Sequence, residues 1–336
     1  MKFTKELLDA MTVVGAEKLE SQLVGIKAAV GDAFNQTNLA NAIARAESQS
    51  LIDGRVTAAQ RYARLVPVDT STSAVVGTAI VKGFTDAVGM GRSHSGTGGD
   101  IPLAELVYSD QSLKVVMGAV AYQYSIAEMQ AASRGNVPLS SDKAAAARLA
   151  YERHMYKIAM VGEPEKGLKG LLNHDIPESV AAVADWDTAS TQSIITDLAN
   201  AIGVAFDESE MTGDTSGLPN TILLPSAKFR LLSTRTVSAT SETSILTYIR
   251  ENNLLTVNGV DVTIEALPEL NTAGAGNTPR AVIYRRDPSA LELILPQDLE
   301  FVAPQAKDLD IYVPGHYLYA GLWIKSAKAV IYLDGL

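Results

Sequence analysis

Residues 89–100 read GMGRSHSGTGGD and gather glycines, hydroxyls, a histidine and an aspartate in one short stretch. A phosphate cradle would need backbone N–H groups at a helix N-terminus, with a Gly-Lys-Ser/Thr step or a dinucleotide fingerprint. Neither is present, and Ile101-Pro102-Leu103, which follows, is extended in character. Ser93, His94 and Asp100 have the side chains of a nucleophile, a base and an orienting group, but a triad must be held by a rigid scaffold. A glycine-rich tip offers none, so the stretch reads as a surface tip. The four histidines, His94, His154, His174 and His316, form no His-x-x-x-His pair. Glu128 with Glu152, or Asp207, Glu208 and Glu210, supply carboxylates for acid/base work, yet acidic clusters at helix ends are usually solvated faces. Asn173, His174 and Asp175 are cation-ligand types, but the side chains of three consecutive residues diverge, and a turn is favoured. No catalytic, cofactor-binding or metal-ligating residue is predicted, and the chain does not read as an enzyme.

The elements that would have to position such groups belong to a chain of 336 residues, long enough for two domains, with 47% hydrophobic and 20% charged residues. The absence of cysteine excludes disulfides, thiolate nucleophiles and cysteine metal sites. A formal charge of −10 argues against a protein that grips nucleic acid, because that binding depends on Lys and Arg neutralising phosphates. The same charge would suit a wall that must not adhere to packed DNA. No apolar run is long enough to span a membrane, and no apolar segment of a signal peptide follows the first lysines.

Residues 1–60 read as helical pieces rich in small residues, interrupted by Gly25 and Gly31, without a core of their own. Two β-branched runs, 65–84 and 102–125, flank the glycine-rich stretch and predict extended arms. A short helix over 125–135 precedes the strongest helix, 139–161. Ser140 or Ser141 can cap that helix, Gly162 and Pro164 end it, and Ala144, Ala147, Tyr151, Met155 and Ile158 form one apolar stripe. An α/β region follows, with a buried strand at 221–225 and a glycine-rich turn at 269–279. A strand-rich tail contains a run, 309–325, that Pro314 and Gly315 should bend so that it serves two sheets.

The order of these parts resembles the major capsid proteins of tailed bacteriophages, whose fold encapsulin shells share. Its most specific pieces are YERHMYKIAMVGEPEKGLKGLLNHDIP (151–177), similar to the end of the family's spine helix and the turn after it, and HYLYAGLWIKSAKAVIYLDG (316–335), similar to its closing strands. The resemblance implies an α+β fold with an N-terminal arm (1–65), an extended loop (66–115), a peripheral domain (116–172) with spine helix 139–161, an axial domain (173–290) and return strands (291–336). It makes Gly89, Gly91, Arg92, His94, Gly98 and Asp100 the loop tip that lies on a neighbouring subunit. Either the turn with Asn271, Gly274, Gly276 and Asn277 or the loop 211–219 would point to the capsomer centre.

It further implies hexamers and pentamers of this chain in an icosahedral or prolate head around double-stranded DNA. Scaffolding, portal and decoration proteins are the expected partners; no cofactor or membrane is expected, and the site is the virion, assembled in the host cytoplasm. The arm is too short for the scaffolding region of some members, and although Lys82 lies in the extended loop, no acceptor Asn or helper Glu matches, so no covalent crosslink is expected. An encapsulin-like compartment around a cargo enzyme is the alternative, and an α/β hydrolase using 89–100 or Asn173–Asp175 the third reading.

Overall fold

A computed structural model describes residues 61–88, 105–135, 142–210, 218–238, 241–326 and 329–336. The chain runs through helix α1 (Arg61–Leu65) and strands β1 (Val68–Asp69), β2 (Ala79–Val88), β3 (Glu105–Lys114) and β4 (Val116–Ser125). Helices α2 (Ile126–Gly135) and α3 (Asp142–Met160) follow, then β5 (Gly162–Glu163), a 3-10 turn (Pro164–Lys166) and β6 (Leu168–Lys169). The α/β stretch comprises β7 (Glu178–Ala181), α4 (Thr191–Glu210), β8 (Thr221–Pro225), α5 (Ser226–Thr234), α6 (Ile245–Asn252), α7 (Leu254–Val257), β9 (Thr263–Leu267) and β10 (Arg280–Tyr284). Strands β11 (Leu291–Ile294), β12 (Gln297–Phe301), β13 (Gln305–Lys307), β14 (Asp310–Tyr319), β15 (Gly321–Ile324) and β16 (Val330–Asp334) complete it. The helical pieces expected before residue 61, and the caps Ser140 and Ser141, lie outside the described residues.

These elements form two compact units. Among the described residues, the smaller lies within Ala119–Tyr151 and Leu299–His316, and the larger takes in 61–118, Glu152–Asp298 and Tyr317–Leu336. In the smaller unit β4 alternates, so that Tyr122 and Tyr124 point inward onto Met129, Ala144, Ala147 and Val313. Tyr122 meets Phe301 edge-on, 5.2 Å between ring centres. A reciprocal cap starts α2: Ser125 Oγ accepts from Glu128 N at 3.2 Å, and Glu128 Oε2 accepts from Ser125 N at 2.9 Å. Lys143 also donates to both Glu128 oxygens. Glu128 is therefore a capping carboxylate rather than half of an acid/base pair.

The larger unit is organised around a five-stranded sheet in the order β7-β16-β10-β8-β9. β8 and β9 run parallel, as do β7 and β16, while β10 is antiparallel to both of its neighbours. Every residue of β8, TILLP, is buried, as a strand covered on both faces requires. Ile194, Leu198, Ile202, Leu232, Ile245 and Ile249 from α4, α5 and α6 belong to the core around the sheet. Trp186 anchors the loop before α4: it is fully buried, and its Nε1 donates to Asp197 Oδ2 at 3.1 Å. The predicted stripe on α3 is buried along its length, from Ala144 to Ile158.

Two expectations are corrected. The run 309–325 does serve two sheets, but its break falls at Ala320 and Gly321 rather than at Pro314 and Gly315. Pro314 stays in the strand because its carbonyl still accepts from Val302 N at 2.8 Å, and Gly315 is where the Phe301 ring packs, so close that a Cβ there would lie 2.8 Å from it. Gly321, at φ 85°, makes the turn. The run 102–125 is likewise not one arm: it divides at Val115, β3 pairing with β2 and β4 pairing with β14.

Candidate functional site

β2 and β3 form a ten-residue antiparallel register from Ala79↔Lys114 to Val88↔Glu105, and among the described residues neither pairs with a third strand. Ten residues at about 3.4 Å each make a ribbon about 34 Å long with two unpaired edges. Its base is fastened by Gly77 N to Val115 O at 3.1 Å and Val115 N to Thr78 O at 2.9 Å. There Ile80 and Leu113 turn inward to a cluster with Val115, Ile294, Leu318 and Trp323. On the other side of β2, Val81 is 62% exposed, and Val75, ahead of the ribbon, is 70% exposed. Gly89, Gly91, Arg92, His94, Gly98 and Asp100, together with Ser93, lie between the ribbon's ends and outside the described residues.

Within the larger unit the segments 152–177 and 317–335 meet. α3 ends at Met160, and after Gly162, whose φ is 78°, the chain turns back so that Leu171 N and Leu172 N donate to Ala159 O and Met160 O, both at 2.9 Å. This return passes so close to the helix end that a Cβ on Gly170 would lie 2.4 Å from the Met160 carbonyl. The final strand holds the same turn: Tyr332 Oη donates to Leu171 O at 2.6 Å and accepts from His174 N at 3.1 Å. Arg280 Nη1 donates to Leu172 O at 2.8 Å, and its guanidinium lies over the Tyr332 ring, 4.1 Å from its centre. Burial pushes the Tyr332 hydroxyl above its ordinary range, so it stays a donor.

A second polar group joins α3 to β14. Tyr317 Oη and His154 Nδ1 share a 2.6 Å hydrogen bond. Tyr319 Oη donates to Glu163 Oε2 at 2.6 Å, and Lys166 Nζ donates to Tyr319 Oη at 3.1 Å and pairs with Glu163 at 2.9 Å. Burial raises Glu163, but the hydrogen bonds from Tyr319 and Lys166 outweigh it, and the carboxyl sits below its usual range. Burial also moves the Tyr317 hydroxyl up to about 12 and His154 down. Tyr317 lies against a glycine: a Cβ on Gly118 would fall 2.2 Å from Tyr317 Cζ. Sequence reasoning singled out both segments but not these partners; the alternating tyrosines of HYLY were the available signal.

The remaining predicted residues are bound into turns. Asn173 Oδ1 accepts from Gly170 N, His174 Nδ1 accepts from Ile176 N, and Asp175 pairs with Lys169, so the three do not converge on an ion. No group of three metal-binding side chains occurs among the described residues. The side chains of Asp207, Glu208 and Glu210, and loop residues 211–217, lie outside them. Asn271 is pinned to the start of α5, its Oδ1 accepting from Ala227 N at 3.3 Å and its Nδ2 donating to Ser226 Oγ at 3.0 Å. Gly274 is buried, Gly276 and Asn277 have φ of 67° and 62°, and Thr272 and the tip 275–277 of this turn are exposed.

The larger unit thus carries a paired ribbon and an α/β body, with the end of a long helix locked to the closing strands. Comparison gives the family: the family model of the major capsid protein matches residues 92–336, and the chain belongs to that family. Among solved structures it is similar to the capsid of Myoviridae phage XM1, with TM-score 0.65 and 19% identity over 82% of this chain and 92% of that one. It is similar also to the capsid of an empty GTA particle (TM-score 0.56, 12% identity, 83% and 90% covered) and to a chain of Mycobacterium phage Adephagia (0.52, 13%, 83% and 91%). Among curated proteins no sequence matches. The α+β fold is thus that of tailed-phage major capsid proteins, a structural rather than enzymatic family whose place is the virion. No described helix is long and apolar enough to cross a membrane.

Proposed function

We propose that this major capsid protein of a phage or phage-like head assembles into hexamers and pentamers of a closed icosahedral or prolate shell enclosing double-stranded DNA. The observation that carries this reading is the β2–β3 ribbon. An isolated two-stranded hairpin is marginal in water, and among the described side chains Ile80 and Leu113 at its base join the apolar cluster of the larger unit while Val81 stays open. A neighbouring copy lying on the ribbon would bury that face at about 25 cal/mol per Å2, repeated around every capsomer.

In this reading 66–115 is the extended loop with its tip at Gly89–Asp100, 1–65 the arm, 116–172 the peripheral domain, 173–290 the axial domain and 291–336 the return strands. The tip 275–277, backed by Asn271 and Gly274, faces the capsomer centre. Assembly takes place in the host cytoplasm, scaffolding, portal and decoration proteins are its candidate partners, and the acidic chain lines the shell without gripping DNA in a sequence-specific way. Size-exclusion chromatography with negative-stain microscopy and a nucleic-acid assay tests this. Closed DNA-bearing particles are expected; a cargo protein in place of DNA would indicate a compartment, and a small discrete oligomer would overturn the reading.

A further inference from the structure

Asn258 and Gly259 are the one Asn-Gly step in the sequence. Both are exposed, directly after α7, beside Val257, which is 74% exposed. We propose that Asn258 is a site of spontaneous deamidation, a covalent modification whose rate is set by opening of the C-terminal cap of α7.

The reaction is internal to the two residues. The backbone nitrogen of Gly259 gives up its proton to solvent base and attacks Asn258 Cγ. The N–Cγ bond forms, the Cγ–Nδ2 bond breaks, and the side-chain nitrogen takes protons from water and leaves as ammonia. Water then opens the five-membered succinimide at either carbonyl, giving aspartate or isoaspartate. Glycine at the second position leaves the attacking nitrogen unhindered and the chain free to swing into the ring. Gly259 stands at φ 84° with nothing within 4 Å of its Cβ position, so no neighbouring group blocks closure.

The folded turn supplies the brake. The ring contains Asn258 Cβ, so closure needs the Gly259 nitrogen eclipsed with Cβ. At ψ 10° it nearly eclipses the Asn258 nitrogen instead. Asn258 Nδ2 donates to Leu254 O at 2.7 Å, and Gly259 N donates to Thr256 O at 3.0 Å, so both reacting groups are engaged. These bonds close only a four-residue helix at the surface, where local opening costs much less than global unfolding.

Nearby alternatives are held more firmly. Asn253 is buried, its Oδ1 accepting from Thr256 N and its Nδ2 donating to Ile249 O, and leucine follows it. Asp334 precedes Gly335 and could close the same ring, but its carboxylate is pinned by Arg280 and Ser179. Conversion of Asn258 places a negative charge at a helix C-terminus and removes the donor to Leu254 O. It therefore uncaps α7, whose Leu255 belongs to the core of the larger unit.

The test incubates the full chain, folded and unfolded in urea, in mildly alkaline buffer, and follows its peptides by mass spectrometry with fragmentation that separates isoaspartate from aspartate. In the folded chain the peptide holding Asn258 should show the mass change of an amide becoming a carboxyl before any other asparagine peptide. In urea the same conversion should run faster, and the ratio of rates reads the opening of the cap. An Asn258 that stays unmodified in the folded chain after the urea sample has converted, an earlier conversion at another asparagine, or equal rates in the two conditions overturns the proposal. Asn258→Asp, which carries the charged product from the start, should lower the midpoint of urea unfolding; an unchanged midpoint overturns the uncapping.

Discussion

Arg280 and Asp334 face each other as a register pair across β10 and β16, with Nε to Oδ1 at 2.5 Å and Nη2 to Oδ2 at 2.8 Å. The third arm of the same guanidinium reaches Leu172 O, and Asp334 also accepts from Ser179 Oγ on β7 at 2.7 Å. One ion pair thus holds β7, β10, β16 and the turn after α3.

Because both side chains are mostly buried, removing one leaves the other without its partner. Arg280→Ala should destabilise the subunit by about 3 kcal/mol in urea unfolding, within the range for breaking a buried pair. Arg280→Lys should recover only part, since an ammonium cannot reproduce the planar fork that serves Asp334 and Leu172 together.

The pair sets an acid dependence as well. Burial pushes the Asp334 carboxyl up, but the hydrogen bonds from Arg280 and Ser179 more than compensate, and it lies below the ordinary 3.8. Its contribution is present above that value and lost as pH falls through the folded one. Asp334→Asn should therefore lower the urea midpoint at about pH 6 and approach wild type as pH falls below the ordinary carboxylate range. Parallel curves across the whole range would contradict the assignment.

Gly118→Ala places a methyl where Tyr317 Cζ now sits, so the ring must leave its seat. We expect a loss of about 3 kcal/mol, at the upper end for overpacking, together with loss of the His154 contact. Gly276→Asn is the control, because nothing lies within 4 Å of its Cβ position and asparagine tolerates its positive φ. Thermal or urea unfolding of the two variants separates a steric requirement from a conformational one.

Val81→Lys changes a residue 62% exposed at the ribbon base. Subunit stability should move by no more than about 0.5 kcal/mol, as for other surface substitutions. Assembly, followed by light scattering, should fall sharply, because the charge would have to be buried against a neighbour.

Helices and strands with strong local patterning were legible in the sequence. The α3 stripe and the short, largely apolar TILLP strand need only nearest-neighbour physics. The bend in 309–325 was misplaced because Pro314 and Gly315 are local breakers whose effect is cancelled by partners far along the chain, Val302 and Phe301, while Gly321 turns the strand. The contacts that lock 151–177 to 316–335 are similarly non-local: Tyr332 reaches Leu171 across 161 positions, and no spacing rule announces it. The segments were recognisable by resemblance, but their chemistry became visible only when the fold brought them together. The residues of the expected loop tip lie outside the described structure, so their role rests on the ribbon that leads to them.

The central claim, that the ribbon gains its stability from sibling copies, is tested most directly by comparing backbone hydrogen exchange of residues 79–88 and 105–114 in assembled particles and in dissociated, folded subunits. The account predicts strong protection in the particle and rapid exchange in the free subunit, while 221–225 and 280–284 stay protected in both. Equal protection of the ribbon in the two states would contradict it.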